Sequence, residues 1–315
     1  MGMELSQLRT IVNVSELGSL SKAADRLHIA QPALSRQVRM LEEELGTRLF
    51  ERHGRGMVLT ETGQDVLRHA YRVLSGIQEI RSCAADADAS LKGHVSIGLP
   101  PTAADILTVP IVKAFKGRHP EATLRIVSAY SSYILDWLHR GDVDVAILFE
   151  STTAKSLVSD PLIEETLHLI GPRHANLSPK QPVDFSSLRT QKLLLPSSGH
   201  SLRRLLDDCT KGLGFDLNVH TEVDNFSALK NLVKAELGMT ILPIAPIHED
   251  IASGELSYAP LTKPVPSRRL MMSFPADRPA TKLARFAGDV LSSTVADLQN
   301  RGIWGGKLLR GTSIY

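Results

Sequence analysis

Ser19–Val38 reads SLSKAADRLHIAQPALSRQV and decides the fold of the amino-terminal segment. Ser19 is a favourable N-cap, and Ala23, Ala24 and Leu27 share one helix face. The break at 28–30 is short, and Pro32 suits the first turn of a second helix because no hydrogen-bond donor is needed there. The stretch therefore predicts two helices joined by a tight turn.

The second helix has a predicted core face and a predicted free face. Leu34, Val38, Leu41 and Leu45 recur at helical spacing and are expected to face inward. Polar side chains remain near the helix start, the end that enters the major groove in helix-turn-helix proteins. Gln and Arg can pair with adenine and guanine edges, and Ser with either. An ordinary amphipathic hairpin with a solvated polar face is the alternative.

The next segment favours the nucleic-acid interpretation. Leu49–Thr60 consists of two short extended runs around Gly54-Arg55-Gly56, which is typical of a β-hairpin. Arginines on such a wing are placed for phosphates or a minor groove. The predicted DNA contacts are Ser21, Gln31, Pro32, Ser35, Arg36, Arg39, Arg52 and Arg55.

This segment resembles the LysR-type transcriptional regulators. The resemblance rests on runs from Leu5-Ser6-Gln7-Leu8-Arg9 through Gly18–Ala24 and Gln31–Ser35 to Leu59–Gly63, and it extends more loosely to about Trp304. Within the family the chain is most similar to the nitrogen-assimilation-control branch. The resemblance implies a winged helix-turn-helix, a long linker helix and a two-lobed α/β domain like a periplasmic binding protein.

Composition limits the other classes. The chain has 315 residues, 43% of them apolar and 22% charged, which suits a globular protein of about two domains. The net charge of +2 does not by itself indicate nucleic acid. Cys83 and Cys209 are too few for a disulfide framework. The start lacks a signal-peptide pattern and no long apolar run exists, so a cytoplasmic protein without a membrane segment is expected.

Residues 61–92 are predicted to form a dimerisation helix. Val66, Ala70, Val73, Ile77, Ile80, Ala84, Ala87 and Leu91 recur at alternating steps of four and three. Such a seam suits the pairing of two long helices, which would hold two reading helices about one helical turn of DNA, ~34 Å, or a multiple of it apart. A single helix lying on its own domain is the alternative. We expect a dimer through this helix, or a tetramer.

From residue 93 onward strand-like and helix-like runs alternate, as in α/β domains whose largely parallel sheets are covered on both faces. The predicted domains are 1–60, 61–92 and 93–304, followed by a loose tail at 305–315. The resemblance implies one lobe at about 93–163 and 269–304 and another at about 164–268. The chain is expected to cross between the lobes near Ile163–Leu167 and Pro264–Arg269.

Polar residues that follow strands are the predicted effector contacts. Ligands in α/β folds bind beyond the carboxyl ends of strands, near helix N-termini. Pro100-Pro101-Thr102 and Pro196–His200 are expected to form two walls of one cleft that suits a small polar or anionic metabolite. Each residue could instead be a simple helix cap. The candidates are Thr102, Ser131, Ser132, Ser197, Ser198, His200 and Asn225.

One departure from the family bears on the effector. Some carboxylate-sensing relatives carry an arginine just after the strand that ends here in Phe149, whereas this chain has Glu150. This argues against a dicarboxylate or aromatic acid. A constitutive regulator without a small-molecule effector is therefore the main alternative.

Other functions are less well supported by the sequence. No Gly-rich phosphate loop, metal-ligand spacing or nucleophile elbow is present, so no enzyme, cofactor or metal site is expected. A solute receptor would not need residues 1–60. Cys209 is the only cysteine after residue 93, which argues against an internal disulfide switch. Promoter DNA, a second copy of the chain and RNA polymerase are the expected partners.

Overall fold

The computed structural model describes residues 2–53, 56–83, 90–150 and 156–309. The amino-terminal domain contains α1 (Leu5–Leu17), α2 (Leu20–Leu27), α3 (Gln31–Leu45) and a hairpin of β1 (Phe50–His53) and β2 (Gly56–Leu59). Leu34 and Leu41 lie in the core of this domain together with Ala23 and Ala24. Leu45 is exposed, because α3 ends there and the chain turns away at Gly46, so the expectation that it faces inward was wrong.

The apolar residues of the predicted seam, from Val66 to Leu91, have different environments along and beyond the linker helix α4 (Glu61–Cys83). Ala70 is buried in the amino-terminal core, with Val66 packed beside it. Val73 and Ile80 are exposed, and Leu91 packs against the regulatory domain. Ala84 and Ala87 lie outside the described residues. A seam running unbroken from Val66 to Leu91 was therefore wrong, because its first turns are used by the helix's own domain.

Lobe one is built on a six-stranded sheet in the order β14-β6-β13-β5-β3-β4. Its helices cover both faces: α5 and α10 pack on one, and α6 on the other. The strands are β3 (Gly93–Leu99), β4 (Ala122–Ser128), β5 (Val145–Phe149), β6 (Leu157–Thr166), β13 (Ser267–Pro275) and β14 (Lys307–Leu308). The helices are α5 (Pro101–Arg118), α6 (Ser131–Arg140) and α10 (Lys282–Asn300).

Lobe two contains a four-stranded sheet in the order β11-β7-β12-β8 and a parallel pair of β9 and β10. The strands are β7 (His168–Pro172), β8 (Val183–Asp184), β9 (Leu193–Leu195), β10 (Val219–Glu222), β11 (Thr240–Leu242) and β12 (Leu256–Thr262). The helices are α7 (Ser201–Lys211), α8 (Phe226–Lys234) and α9 (His248–Ala252). The buried leucines 193–195 link the two sheets, since the Leu194 N–H donates to the carbonyl oxygen of Met239, the residue before β11.

The lobes are joined by two adjacent passages of the chain. The first follows β6 at Leu167, and the second precedes β13 between Thr262 and Ser267. Leu167 N–H donates to the carbonyl oxygen of Pro266 at 2.9 Å, and Thr166 pairs with Ser267. The two passages therefore form a hydrogen-bonded double connection.

Two expectations about this domain were wrong. The sheets are mixed rather than largely parallel, because β13 runs antiparallel to both β5 and β6, and β7 runs antiparallel to β11 and β12. The segment after Trp304 is not a loose tail throughout: Lys307 and Leu308 pair with β6. Within the described residues, no helix is long and apolar enough to cross a membrane.

Candidate DNA interface and effector cleft

The reading helix α3 is positioned by close helix packing. Ser19 caps α2 by accepting the Lys22 N–H at 3.4 Å, and Ala23 and Ala24 are buried beneath α3. Pro32 lies in the first turn of α3, as expected from its missing donor. The core contacts of Leu34, Val38 and Leu41 fix which face of the helix is turned outward.

That outward face carries most of the predicted DNA contacts. Gln31, Pro32, Arg36 and Arg39 are exposed, Ser35 is half-buried, and Ser21 is exposed on α2. Among the described residues, neither Arg36 nor Arg39 forms an ion pair with a carboxylate. Arg26 differs, because it binds Glu16 at 2.6 Å. The free arginines of α3 can therefore approach an anion or a base edge without first breaking a salt bridge.

The wing is tied to α3 by one carboxylate. Glu42 Oε1 accepts the N–H groups of Leu49 at 2.8 Å and Phe50 at 3.2 Å, which holds the start of β1 against the end of α3. Arg52 is exposed on β1. Arg55 lies outside the described residues. The hairpin therefore places at least one arginine on a surface whose orientation relative to α3 is fixed.

A second candidate site lies between the two lobes, and we call it the interlobe cleft. Pro100, Pro101 and Thr102 face it from lobe one, and Pro196 and His200 face it from lobe two. Its volume is about 430 Å³ including the open mouth, but the cavity itself is only about 40 Å³. Its other lining residues are Tyr130, Phe149, Leu202, Val223, Asp224, Phe226, Leu229, Leu242 and Arg268.

Arg268 supplies positive charge to this cleft. Its Nε donates to Glu165 Oε1 at 2.6 Å, and its NH2 group lies 3.3 Å from Thr102 Oγ1. The guanidinium stacks 4.0 Å from the ring centre of Phe149. Glu165 also accepts the Trp304 indole N–H at 2.7 Å. The side chains of Arg268 and Glu165 are only 8% and 2% exposed, so this ion pair is buried and its geometry is tightly constrained.

Tyr130 spans the cleft. It precedes α6 of lobe one, and its hydroxyl donates to the backbone oxygen of Asp224 in lobe two. Its ring meets His200 edge to face at 4.5 Å. Burial, with the nearby Asp224, raises the pKa of Tyr130 to about 12, so the hydroxyl keeps its proton at neutral pH. The lobes are therefore in direct contact over one end of the cleft.

His200 is a neutral group in this setting. Burial, with a further contribution from Arg268, lowers the pKa of His200 to about 4. Its Nδ1 accepts the Leu202 N–H at 3.0 Å, so it also caps α7. A neutral ring that accepts this bond at Nδ1 carries its proton on Nε2, which is available as a donor.

The structure brings together only part of the predicted effector set. Thr102 and His200 line the interlobe cleft. Ser197 binds the Asp224 carboxylate through its N–H and hydroxyl, and Asn225 caps α8 through the Ala228 N–H. Ser131 is buried, whereas Ser132 and Ser198 are exposed. None of these five residues lines the cleft itself. Asn225 is a helix cap, which agrees with the alternative given above for each candidate.

Sequence reasoning missed Arg268, Tyr130 and Phe149. Arg268 is separated from Thr102 by 166 positions in the sequence. The sequence pattern around it predicts a strand but gives no sign that this strand reaches the cleft. A signal was present for the other two residues, since Phe149 ends β5 and Tyr130 lies two residues after the end of β4. Asp224 was also missed, although it precedes the predicted contact Asn225.

Cys209 has a poorly reactive environment. Burial, with a contribution from Asp208, raises the pKa of its thiol. A raised pKa reduces the thiolate fraction that attacks oxidants and disulfides. The thiol is free and half-buried.

Two family models match this chain. Residues 5–64 match the bacterial regulatory helix-turn-helix protein of the lysR family, and residues 88–295 match the LysR substrate binding domain. The chain belongs to the LysR family. It is a LysR-type DNA-binding transcriptional regulator with an effector-binding domain.

Individual relatives cover nearly the whole chain. The nitrogen assimilation regulatory protein nac of Klebsiella aerogenes is 30% identical over 95% of this chain and 98% of its own length. A full-length OxyR variant from Pseudomonas aeruginosa is 26% identical, covers 93% of this chain and 98% of its own, and has a TM-score of 0.69. The regulator CbnR, solved with its target DNA, shares the fold at 21% identity, with coverage of 94% and 99% and a TM-score of 0.64.

Proposed function

We propose that α3 enters the major groove of promoter DNA. In this proposal Gln31, Pro32, Ser35 and Arg36 contact base edges and the nearby backbone, and Ser21 and Arg39 contact phosphates. Arg52 and Arg55 hold phosphates or a minor groove from the wing. The observation that carries the proposal is the outward face of α3, whose arginines are exposed while the opposite face is buried.

The proposal needs two reading helices, and therefore two chains. Val73 and Ile80 are exposed on α4, which leaves an apolar stripe on the linker helix beyond the part packed on its own domain. We propose that a second copy covers this stripe in a dimer, and that two dimers form the tetramer. RNA polymerase is a further proposed partner, and binding of chromosomal DNA would place the chain in the cytoplasm. The proposal assigns regulation rather than catalysis, because the relatives reported above are regulators.

The test of DNA reading first identifies a preferred sequence, by selecting from a mixture of duplex fragments those that the full chain binds. Gln31→Ala should bind the selected duplex at least fivefold more weakly, because a bidentate adenine contact is worth about 1–3 kcal/mol. Thr62→Ala, an exposed change at the start of α4, is the control and should bind like wild type. Absence of any preferred duplex, or an unchanged affinity of Gln31→Ala for it, would contradict this docking.

We further propose that the interlobe cleft binds a small metabolite with an apolar body and one anionic or polar group. Arg268, Thr102 and the Nε2 proton of His200 would bind the polar group, and Leu202, Phe226, Leu229 and Leu242 would contact the apolar body. Position 150 carries Glu rather than the arginine of some carboxylate-sensing relatives. In this proposal Arg268, which stacks on the neighbouring Phe149, supplies the positive charge instead. An effector acts only if it binds two arrangements of the lobes with different affinity.

The effector test is a thermal-shift screen of the full chain against small carboxylic acids and amino acids. A ligand of the cleft should raise Tm in wild type and lose most of that shift in Thr102→Val. Thr123→Val, an exposed change on β4, is the matched control. A hit whose shift is identical in Thr102→Val would be bound elsewhere.

A constitutive regulator is the second candidate function. It is favoured by the narrowness of the cleft and by the hydrogen bond of Tyr130 to Asp224, which join the lobes directly. This candidate predicts no shift with any compound in the screen, together with full affinity for the selected duplex.

A further inference from the structure

A large cationic pocket lies between the linker helix and lobe one, away from the interlobe cleft. We call it the junction pocket. Its walls come from α4 with Arg68, Tyr71 and Arg72, from β3 and β4 with His94 and Arg125, and from α6 with Arg140. The cavity volume of this pocket is about 520 Å³, compared with about 40 Å³ for the interlobe cleft. The pocket is therefore roomy enough for a small metabolite.

The charges around this pocket are unbalanced. Arg68 is held by Asp65 and by Asp142, whose carboxylate lies 3.3 Å from Arg68 Nε. Arg125 reaches only the backbone oxygen of Asp142, at 3.4 Å. In the part of the chain that the structure describes, Arg72, Arg125 and Arg140 pair with no carboxylate. Three unpaired guanidinium groups around one concavity create a local positive potential that favours an anion.

The acidic groups nearby are already engaged. Asp144 Oδ2 accepts the Ser96 N–H at 2.7 Å. Glu16, which faces Tyr71, binds Arg26 at 2.6 Å and the Tyr71 hydroxyl at 3.0 Å. These bonds hold the carboxylates in place but do not remove the negative charge of Asp144. The pocket is lined by four arginines, Arg68, Arg72, Arg125 and Arg140, and by two carboxylates, Asp142 and Asp144, so positive charge is in excess.

The remaining walls are partly aromatic. Tyr71 stacks on His94 with ring centres 5.1 Å apart, and Trp137 lines the same space. Burial, with a contribution from Arg125, lowers the pKa of His94, so this ring is neutral at pH 7. Gly141 lets Arg72 approach, since a Cβ at that position would lie 2.8 Å from Arg72 Cδ. The side chains of Arg72, Arg125 and Arg140 are exposed along this wall, where an anion from solution can reach them.

We propose that the junction pocket binds a small multivalent oxyanion, of the phosphate-ester or polycarboxylate class, through Arg72, Arg125 and Arg140. Guanidinium groups recognise such anions by paired, charge-assisted hydrogen bonds. Because Arg72 belongs to α4 and the other two arginines to lobe one, the anion bridges the linker helix and the regulatory domain. The site does not depend on the interlobe cleft.

The test is isothermal titration of the full chain with pyrophosphate, inorganic phosphate and citrate at constant ionic strength. We expect saturable binding of at least one probe, and the preferred probe distinguishes a phosphate from a carboxylate ligand. The double variant Arg125→Gln, Arg140→Gln should bind it at least tenfold more weakly. Arg301→Gln, an exposed arginine that lines neither pocket, and Thr102→Val, a change in the interlobe cleft, should both bind it like wild type.

Two results would overturn the proposal: no saturable binding of any probe, or equal binding by wild type and the double variant. If no probe binds, the affinity of the double variant for duplex DNA is measured next, and we ask whether it is lower and has a shallower salt dependence. This last result would assign the arginines to DNA phosphates.

Discussion

The outward face of α3 and the interlobe cleft present their charged groups in opposite ways. On α3, Arg36 and Arg39 are exposed and unpaired among the described residues. In the cleft, Arg268 is 8% exposed and bound to Glu165, which itself binds Trp304. A partner of α3 meets side chains that are free to adapt, whereas a ligand of the cleft meets a charge whose position is already fixed.

The difference has an energetic consequence. Removing an exposed, unpaired arginine costs little stability and acts mainly on binding. Removing one partner of a buried ion pair leaves an uncompensated charge in the interior. Substitutions on α3 should therefore change affinity without changing stability, and substitutions around Arg268 should change stability first.

The largest expected effect is that of Glu165→Leu. It leaves Arg268 buried without its carboxylate and Trp304 without an acceptor, so the free energy of unfolding should fall by about 3–5 kcal/mol. Urea unfolding measures this. The double change Glu165→Leu, Arg268→Met should recover most of the loss, because an apolar pair replaces the charges. A loss below about 1 kcal/mol in the single variant would mean that the pair is solvated.

Arg36→Ala tests the outward face of α3. It should weaken binding of the preferred duplex by about 1–3 kcal/mol and relax the sequence preference, while the unfolding midpoint stays unchanged. Competition binding with related duplexes measures both effects. Arg301→Ala is the control for loss of one positive charge. If affinity for the best duplex were unchanged, Arg36 would have no place in base reading.

The pH dependence of stability should reflect His200. Its pKa is about 4 in the folded chain and about 6.5 in the unfolded chain, so the unfolded chain binds more protons between these values. Stability therefore falls as the pH drops from about 6.5 toward 4. His200→Phe should remove about 1–2 kcal/mol of this fall, because solvent screens the half-buried ring. Identical pH profiles of the two proteins would show that the ring is solvated.

The smallest expected effect is that of Arg52→Ala. Loss of one phosphate contact should make the slope of log affinity against log salt concentration shallower by about 0.9, with little change in sequence preference. Arg26→Ala is the control within the same domain, because its guanidinium is paired with Glu16. Titrations at several salt concentrations measure the slope. An unaltered slope would remove Arg52 from the phosphate contacts.

The helix-turn-helix could be predicted because its determinants are local. The cap at Ser19, the small residues Ala23 and Ala24, and the heptad-like leucines of α3 act within about twenty residues of each other. The error at Leu45 also has a local cause: the spacing of apolar residues does not show that the last turn of α3 extends beyond the buried core. The linker seam was wrong only in its first turns, where Ala70 packs on its own domain, because an apolar stripe does not show whether it packs on the same chain or on another. Pairing of two chains through the rest of α4 stays a prediction.

The cleft could be predicted only in outline. Thr102 and His200 were found because residues after strands share an edge of an α/β sheet. Arg268 was missed because its environment depends on the antiparallel placement of β13 between β5 and β6, which strand-like patterns do not specify. Strand direction depends on connections across the whole chain, and here the chain leaves lobe one at Leu167 and returns at Ser267.

The double connection between the lobes restricts how the cleft can open. A twist of one lobe about the long axis of the connection would break the hydrogen bond between Leu167 and Pro266, whereas a hinge motion can bend both passages together. Arg268 directly follows Ser267, so in such a motion it would stay beside the connection. Opening would also have to break the hydrogen bond from Tyr130 to Asp224. A molecule held by its charged end at Arg268 would thus be anchored beside the connection, and its length toward Asp224 would determine how far the lobes separate.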